Sequence, residues 1–288
     1  MFFTFAQALT SPARGEFVEG NIYVTVITGE PSCFGAGDLS AIVEINPETG
    51  ELRIFADSNG SDMCIPNGLR FTPDGERLLQ LENWESKVLS FHPDGTSETL
   101  LDASDGLVGP GGANGIVFDA GGDLYVLNAG TSWVLRFPAD GSPATVFAGG
   151  EDGISGRGAL DFALNADLFY AGDFADGVLR ITPEGEGFFF DDPPQNQQSL
   201  TFDKHDNLYV GSSFSVYRYV DTDPATRTVL ASGFLSEVGL PLPVDVCADG
   251  RSRGYQPWRL GTGARSGVSV HPHNSPEGWQ HSGVERGW

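Results

Sequence analysis

The chain has 288 residues and a mass of 30.7 kDa, a length at which one domain is expected. Its composition, 40% hydrophobic with 39 glycines and 18 prolines, is too apolar for a disordered chain and too rich in turn formers for a helical one. The net charge of −23 repels phosphate surfaces, so neither nucleic acid nor a membrane is expected as a partner. This acidity fits either plain solubility or a saline habitat with cation-attracting loops.

The N-terminus is apolar from Met1 to Ala8 and ends in an Ala-x-Ala pattern, which fits either the remnant of a secretory signal or a first β-strand. The three cysteines, Cys33, Cys64 and Cys247, form no CxxC pair, so neither a zinc site nor a disulfide framework is indicated. A single Cys33–Cys64 bridge remains open. The apolar start and the presence of only two lysines favour a secreted or periplasmic location.

A repeat of four short apolar strings organises most of the chain. Its anchors are phenylalanines that lie 47, 44 and 40 residues apart, namely Phe71, Phe118, Phe162 and Phe202. Each anchor is followed by further strings rich in Val, Leu, Ile and Tyr, which are separated by Pro, Asp and Gly. Runs this short predict β-strands joined by tight turns, whereas a helix needs longer runs with a period of 3.6 residues.

Four strands per repeat predict an all-β fold, a six-bladed β-propeller with its function in the central channel. The predicted blades cover about 15–60, 61–108, 109–154, 155–195, 196–240 and 241–250 onward, so that the propeller takes residues 1–250. The last blade is short, and its completion is left open. Residues 251–288 are expected to be an irregular or disordered tail, in which His271-Pro-His273 fits either a metal pair or an unstructured end.

Two consecutive repeats carry a family resemblance. The runs Cys64-Ile-Pro-Asn-Gly-Leu-Arg-Phe and Gly111-Gly-Ala-Asn-Gly-Ile-Val-Phe resemble blades of the gluconolactonase and senescence-marker-protein superfamily. That superfamily includes lactonases and diisopropylfluorophosphatases and overlaps with the NHL-repeat propellers. The resemblance implies a six-bladed ring with a divalent cation, often calcium, on the channel axis.

In that family the cation is held by a Glu, one or more Asn and an Asp at the mouths of different blades. The resemblance makes Asn67 and Asn114 the candidate metal ligands, with Asn114 in the place of the usual aspartate. The usual early Glu-Gly-Pro element has no match, and Arg14 or Gly15 lies nearest to its position. The alternative for each asparagine is to cap the turn that enters the first strand of its blade.

Glu82 is the candidate catalytic residue, because it ends the second string of its blade, where the resemblance places the top-face loops, and there it could act as a general base or as an extra metal ligand. The alternative is a solvated loop carboxylate. Asp173 and Asp245 are further candidates on the same reasoning. No Ser-His-Asp arrangement is recognisable in the sequence.

Two functions follow from these residues, and a monomer is expected for either. The first is a metal-dependent, lactonase-like hydrolase in which a channel cation polarises the carbonyl of a small lactone or ester. The second is a non-catalytic, NHL-like propeller that binds a peptide, glycan or small ligand through its loops, with 30–38 and 193–198 as contact points.

Overall fold

The computed structural model describes residues 5–7, 17–18, 20–28, 39–59, 61–108, 112–154, 156, 158–172, 177–193, 197–203, 205–212, 215–232, 259–261 and 269–271. Within these ranges the chain forms five four-stranded antiparallel sheets and one separate pair of strands. Each large sheet takes four strands that are consecutive in the chain. The short apolar strings between turn residues therefore form antiparallel meanders, as their spacing predicts.

The first sheet comprises β1 (Phe5–Gln7), β2 (Ile22–Thr28), β3 (Leu39–Ile45) and β4 (Leu52–Asp57). The second comprises β5 (Pro66–Phe71), β6 (Leu78–Glu82), β7 (Lys87–Phe91) and β8 (Ser97–Leu101). The third comprises β9 (Ala113–Phe118), β10 (Leu124–Asn128), β11 (Trp133–Phe137) and β12 (Thr145–Ala148). The fourth comprises β13 (Gly158–Phe162), β14 (Leu168–Gly172), β15 (Val178–Ile181) and β16 (Gly187–Asp191). The fifth comprises β17 (Gln197–Phe202), β18 (Leu208–Ser212), β19 (Ser215–Tyr219) and β20 (Thr228–Ser232). Short 3₁₀ turns occur at Ala103–Asp105, Gly150–Asp152 and Pro224–Thr226.

The sheets are arranged as the blades of a propeller. Their first strands contact one another in succession, β1 with β5, β5 with β9, β9 with β13 and β13 with β17. The second strands β6, β10 and β14 are buried along their whole length, whereas the fourth strands β8, β16 and β20 are mostly exposed or half-buried. Each blade therefore runs outward from its first strand, and we call the space bordered by the five first strands the axial space.

The anchor phenylalanines of the repeat pack against the preceding blade. The ring of Phe162 lies 5.0 Å from that of Tyr125, and the ring of Phe202 lies 5.1 Å from that of Phe169, both edge to face. Phe71 makes the same kind of contact with Tyr23 at 5.5 Å. Such pairs add stabilisation beyond the burial of their surface, which explains why an aromatic residue recurs at this position.

Among the described residues, the hydrophobic core is divided into four clusters, and each one joins two consecutive blades. Between the second and third blades, for example, Leu81 packs in one cluster with Ile116. The other clusters join the first blade to the second, the third to the fourth and the fourth to the fifth. A single large side chain buried in this way contributes about 1.5 to 3 kcal/mol, so stability is shared among neighbouring blades.

The turns between the first and second strands are closed by aspartates. Asp203 accepts hydrogen bonds from the backbone N–H groups of His205 (2.9 Å) and Asn207 (3.0 Å) and from the Tyr209 hydroxyl (3.1 Å). The third blade repeats this arrangement with Asp119 and Tyr125, 3.3 Å apart. Burial, together with the charge of Asp119, raises the pKa of Tyr125 to about 12.

The predicted number of six blades is corrected to five for the described part of the chain. The first sheet obtains its innermost strand from Phe5–Gln7, which pairs with β2, so the apolar N-terminus forms a strand there. The sixth blade was expected from residue 241 onward, and residues 233–258 lie outside the described residues.

In the segment expected to be an irregular tail, β21 (Arg259–Gly261) pairs with β22 (Ser269–His271). Among the described residues, no helix is long and apolar enough to cross a membrane.

Candidate functional site

The innermost strands begin with an irregular register in three blades. Where β5 pairs with β6, β9 with β10 and β17 with β18, the innermost strand has one extra residue close to its start, which is a β-bulge. In β5 the extra residue falls at Asn67 and Gly68, and in β9 at Asn114 and Gly115. We call this beginning of the innermost strands the entry end and their opposite end the exit end. The two predicted metal ligands thus lie at equivalent bulges of neighbouring blades.

Glycine follows each of these asparagines because the next blade is close. A Cβ atom on Gly115 would lie 3.1 Å from the backbone oxygen of Gly158 in the next blade, and one on Gly68 would lie 3.3 Å from the Ile116 side chain, also in the next blade. The Asn-Gly pairs that marked the repeat therefore reflect tight packing between innermost strands.

Asn114 links two blades. Its Oδ1 accepts a hydrogen bond from the backbone N–H of Gly158 in β13 at 3.0 Å. Asn67 is half-buried at the corresponding position of β5. The carbonyl oxygen that Asn114 would offer to a cation is therefore already an acceptor for the next blade.

Glu82, the predicted catalytic residue, is fully buried at the end of β6. Its two carboxylate oxygens accept backbone N–H bonds from Cys64 (2.6 Å), Ile65 (2.8 Å) and Trp84 (3.2 Å). Burial raises the pKa of Glu82, and the three N–H donors oppose that shift without reversing it. The observed partners of Glu82 are those of a residue that fixes the loop before β5, while its role as a general base stays a prediction.

The same loop is held from a second side. The carbonyl oxygen of Cys64 accepts a hydrogen bond from the Ser40 hydroxyl of the first blade at 2.5 Å. Cys64 is also disulfide-bonded, and the other two cysteines, Cys33 and Cys247, lie outside the described residues. Neighbouring blades and a covalent bond therefore fix the chain where it enters β5.

The entry of β9 is held in a similar way by the second blade. The Asn83 side chain donates to the carbonyl of Ala113 at 3.2 Å, and the Ser86 hydroxyl accepts from the N–H of Gly112 at 3.2 Å. Side chains in the β6–β7 turn thus satisfy backbone groups that the start of a strand would leave unpaired.

At the exit end, an ion pair joins blades that are not neighbours. Nη2 of Arg70, in β5, donates to Oδ1 of Asp161, in β13, at 2.8 Å. Because β9 lies between these two strands, the Arg70 side chain reaches Asp161 on the axial side of β9. The ion pair therefore lies in the axial space.

Asp161 also binds the fifth blade. Its Oδ2 accepts from the Thr201 hydroxyl at 2.9 Å and from the N–H of Phe202 at 3.3 Å, while its Oδ1 also accepts from the N–H of Phe162 at 3.0 Å. One carboxylate therefore connects the second, fourth and fifth blades. The Asp161 side chain is 14% exposed and that of Arg70 is 35% exposed.

Sequence reasoning did not select this ion pair. Its signal was present in the aligned repeats, where the residue before each anchor phenylalanine is Arg70, Val117, Asp161 or Thr201. Two opposite charges at one repeat position predict a contact only if the ring geometry of the blades is also considered.

The donor set does not fit a calcium centre. Calcium takes six to eight oxygen ligands, with affinity rising with the number of carboxylates. Among the residues that the structure describes, no three His, Cys, Asp or Glu side chains are grouped to hold a metal. Asn114 and Glu82 bind backbone N–H groups instead. The further candidates Asp173, Asp245, Arg14, Gly15 and His273 and the loop 30–38 lie outside the described residues, as do 194–196 of the second loop.

Comparisons with known proteins identify the fold. Neither the search of family models nor the search of curated proteins gave a match. Among solved structures, a nidogen/laminin complex is similar at 18% identity and a TM-score of 0.58, covering 78% of this chain and 79% of that chain. A gluconolactonase from Xanthomonas campestris is similar at 14% identity and a TM-score of 0.57, covering 78% and 73%. A virginiamycin B lyase from Staphylococcus aureus is similar at 15% identity and a TM-score of 0.51, covering 79% and 73%. Identities this low establish a common propeller architecture and nothing about activity.

Proposed function

We propose that this protein binds a small molecule in its axial space, close to Arg70 and Asp161. The observation that carries the proposal is the reach of Arg70 across the axial side of β9 to a carboxylate two blades away. A ligand that enters this space meets a guanidinium that is already fixed in position, and binding sites are typically concave with a few well-placed polar groups. This proposal corresponds to the second function considered above, the non-catalytic binding propeller, and it adds that the ligand is held on the axis as well as by loops.

The other polar candidates favour binding over chemistry. Glu82 and Asn114 accept hydrogen bonds from backbone N–H groups, and a general base needs a free oxygen within reach of the proton that it abstracts. A residue that fixes a loop or a blade supports a ligand site by keeping its walls rigid.

The test is a thermal-unfolding screen of the intact chain with neutral lactones, monosaccharides and short peptides at millimolar concentration. A ligand that binds only the folded state raises the melting temperature as its concentration increases. At a ligand concentration of 100 times the dissociation constant, the free energy of unfolding rises by about 2.7 kcal/mol. We expect a concentration-dependent rise for a small molecule and none for peptides. The absence of any rise across the panel would refute the proposal.

Hydrolysis of a small lactone or ester in the same space is the second candidate, and its support is the likeness in fold to a gluconolactonase. The calcium dependence of this hydrolysis needs a test of its own, because the oxygen donors of the described residues do not fit a calcium site. Hydrolysis of each lactone in the panel should be measured by the release of acid, once with added calcium and once with a chelator. Turnover that the chelator abolishes would support the metal-dependent hydrolase, and binding without turnover would leave the first proposal.

We further propose that the chain is a monomer in a secreted or periplasmic setting, without nucleic acid or membrane partners. The disulfide bond of Cys64 supports an oxidising compartment, since such bonds persist where thiols are not kept reduced. Cell fractionation with non-reducing mass spectrometry tests the location, and a fully reduced cytoplasmic protein would contradict it.

A further inference from the structure

The outermost strand of the fourth blade, β16, has a free edge. It lies at the end of its sheet, where β15 pairs with one side and no described strand pairs with the other. An edge strand presents unpaired N–H and C=O groups, and proteins usually protect such an edge with a charged side chain or a proline within the strand. From Gly187 to Phe190, β16 contains neither. This edge is therefore open to pairing with a further strand.

β16 also exposes two large aromatic side chains. Phe188 is 53% exposed and Phe189 is 67% exposed, which makes them the most exposed aromatic residues of the described part of the chain. By contrast, Phe190 packs inward, with its ring 5.2 Å from that of Phe169 and 5.4 Å from that of Tyr219. Consecutive side chains of a strand point to opposite faces, so Phe188 and Phe189 flank the free edge on both faces. Two of the three phenylalanines are thus available to a partner.

Carboxylates lie on both sides of this aromatic pair. Glu184 and Glu186 precede it, Asp191 and Asp192 follow it, and no basic residue lies among them. Asp191 is paired with Arg227 at 2.8 Å. The other three carboxylates belong to exposed residues and make no ion pair with a described residue. Three uncompensated negative charges therefore surround the exposed rings.

This charge pattern argues against a second copy of the chain as the partner. If two β16 strands paired, whether parallel or antiparallel, the acids at the ends of one strand would lie opposite acids of the other, and like charges opposite each other destabilise a sheet. The net charge of −23 also opposes the approach of two copies. The same carboxylates attract a segment with basic residues at its ends, and a basic side chain is also attracted to the face of a phenylalanine ring.

We infer that β16 is a docking edge for an extended segment of another protein, in which apolar residues are flanked by Lys or Arg at both ends. The segment adds a fifth strand to the fourth blade through main-chain hydrogen bonds, with apolar side chains beside Phe188 and Phe189 and basic ends beside the carboxylates. This edge belongs to the outermost strand of its blade and lies away from the axial space. The inference therefore does not depend on the proposed small-molecule site.

A synthetic peptide of the sequence Lys-Lys-Val-Thr-Val-Thr-Val-Lys-Lys is a suitable probe, and the same peptide with Glu in place of each Lys is its matched control. Fluorescence anisotropy measures the binding of both to the intact chain, at low and at high salt. We expect the basic peptide to bind at least about tenfold more tightly than the acidic one. Its affinity should fall with salt, because exposed charges are screened. Neutral short peptides, as in the thermal-unfolding screen, lack the basic ends and should not bind.

Replacing the exposed rings tests the apolar part of the edge. Phe188→Thr combined with Phe189→Thr keeps a high strand propensity, and it should weaken binding of the basic peptide about tenfold while the melting temperature stays close to that of the wild type. Val229→Thr combined with Leu230→Thr is the matched control. These two residues are also exposed on an outermost strand, β20, but the residue before that strand is Arg227 and not an acid. This variant should bind the peptide as the wild type does.

Two further tests separate the charges from the strand pairing. Glu184→Gln combined with Glu186→Gln should weaken binding of the basic peptide and reduce its dependence on salt. N-methylation at alternate residues of the peptide blocks the N–H groups along one side of an extended strand. One of the two alternate methylation patterns should therefore abolish binding, and the other should preserve it.

The outcomes decide the inference. Equal binding of the basic and acidic peptides, or unchanged binding by the phenylalanine double variant, would overturn it. Unchanged binding of both N-methylated peptides would reveal a charge contact without strand pairing and would overturn it as well. Dimerisation in analytical ultracentrifugation that the double variant abolishes would identify a second copy as the occupant, against the inference. None of these results bears on binding in the axial space, which the thermal-unfolding screen tests separately.

Discussion

The two ends of the innermost strands use their polar side chains differently. At the entry end, Glu82 and Asn114 accept hydrogen bonds from backbone N–H groups of neighbouring segments. At the exit end, Asp161 is saturated in the same way, but Arg70 keeps donors that the described residues do not occupy.

The difference follows from the backbone at each end. The chain segments just before β5 and β9 carry backbone N–H groups without a strand partner, and those of Cys64, Ile65 and Gly112 donate to the side chains of Glu82 and Ser86. At the exit end the chain turns back tightly, and aspartates such as Asp203 satisfy the turn locally. Polar side chains of the strand itself, such as Arg70, are then not needed to satisfy the backbone. A polar side chain close to a channel is therefore not necessarily one that contacts a ligand.

The largest expected effect tests the structural role of Glu82. Glu82→Leu keeps the volume but leaves the N–H groups of Cys64, Ile65 and Trp84 without their acceptor. We expect a loss of about 3 kcal/mol in the free energy of unfolding, measured by urea denaturation.

Glu85→Gln is the control for this variant, because Glu85 lies in the same turn with an exposed side chain and should change stability by less than about 0.5 kcal/mol. If Glu82→Leu were as stable as the wild type yet inactive toward a lactone, Glu82 would be a catalytic residue and the comparison of the two ends would be wrong.

The disulfide bond of Cys64 should have the next largest effect. Cys64→Ser removes the covalent restraint on the segment that Glu82 holds, and loss of a native disulfide typically costs 2–4 kcal/mol, so we expect about 2 kcal/mol here. Urea denaturation with and without a reductant measures it. The reductant should destabilise the wild type and leave Cys64→Ser unchanged, and equal sensitivity of the two proteins would contradict the assignment.

The repeat was predictable from the sequence because its cause is local. The anchors Phe162 and Phe202 recur since each ring packs against an aromatic residue of the preceding blade, and short strings between turn residues form strands whatever their neighbours are. The sixth blade was predicted from a single string at residue 241 without a full repeat behind it, and the number of blades was therefore predicted less well than their architecture.

The candidate site was less predictable, for two physical reasons. The partners of Glu82 and Asn114 are backbone N–H groups, which are present at every residue except proline and leave no mark in the sequence. The Arg70–Asp161 pair depends on the angle between blades, because it forms across a third blade and not between adjacent strands. The family resemblance implied where ligands bind in similar propellers, and it did not indicate that Asn114 and Glu82 would already accept hydrogen bonds from the backbone.

A smaller effect is expected from the turns at the exit end. Tyr209→Phe removes the hydroxyl that donates to Asp203 and keeps the ring, so the free energy of unfolding should fall by about 1 kcal/mol. Tyr125→Phe, which removes the longer bond to Asp119, should cost less. Urea denaturation of both variants checks the order, and a loss as large as that of Glu82→Leu would mean that the exit end is as dependent on its side chains as the entry end.

The smallest effect is the pH dependence that Glu82 confers. Burial raises its pKa above the ordinary 4.5, so over the interval above that value the folded protein retains a proton that the unfolded chain has lost. The stabilisation from Glu82 is therefore fully present below pH 4.5 and is lost as the pH rises through the raised pKa. Glu82→Gln carries no ionisable group there, so its deficit in stability relative to the wild type should narrow with rising pH in urea titrations. A deficit that widens with pH would mean that the three N–H donors outweigh burial and hold the carboxylate ionised.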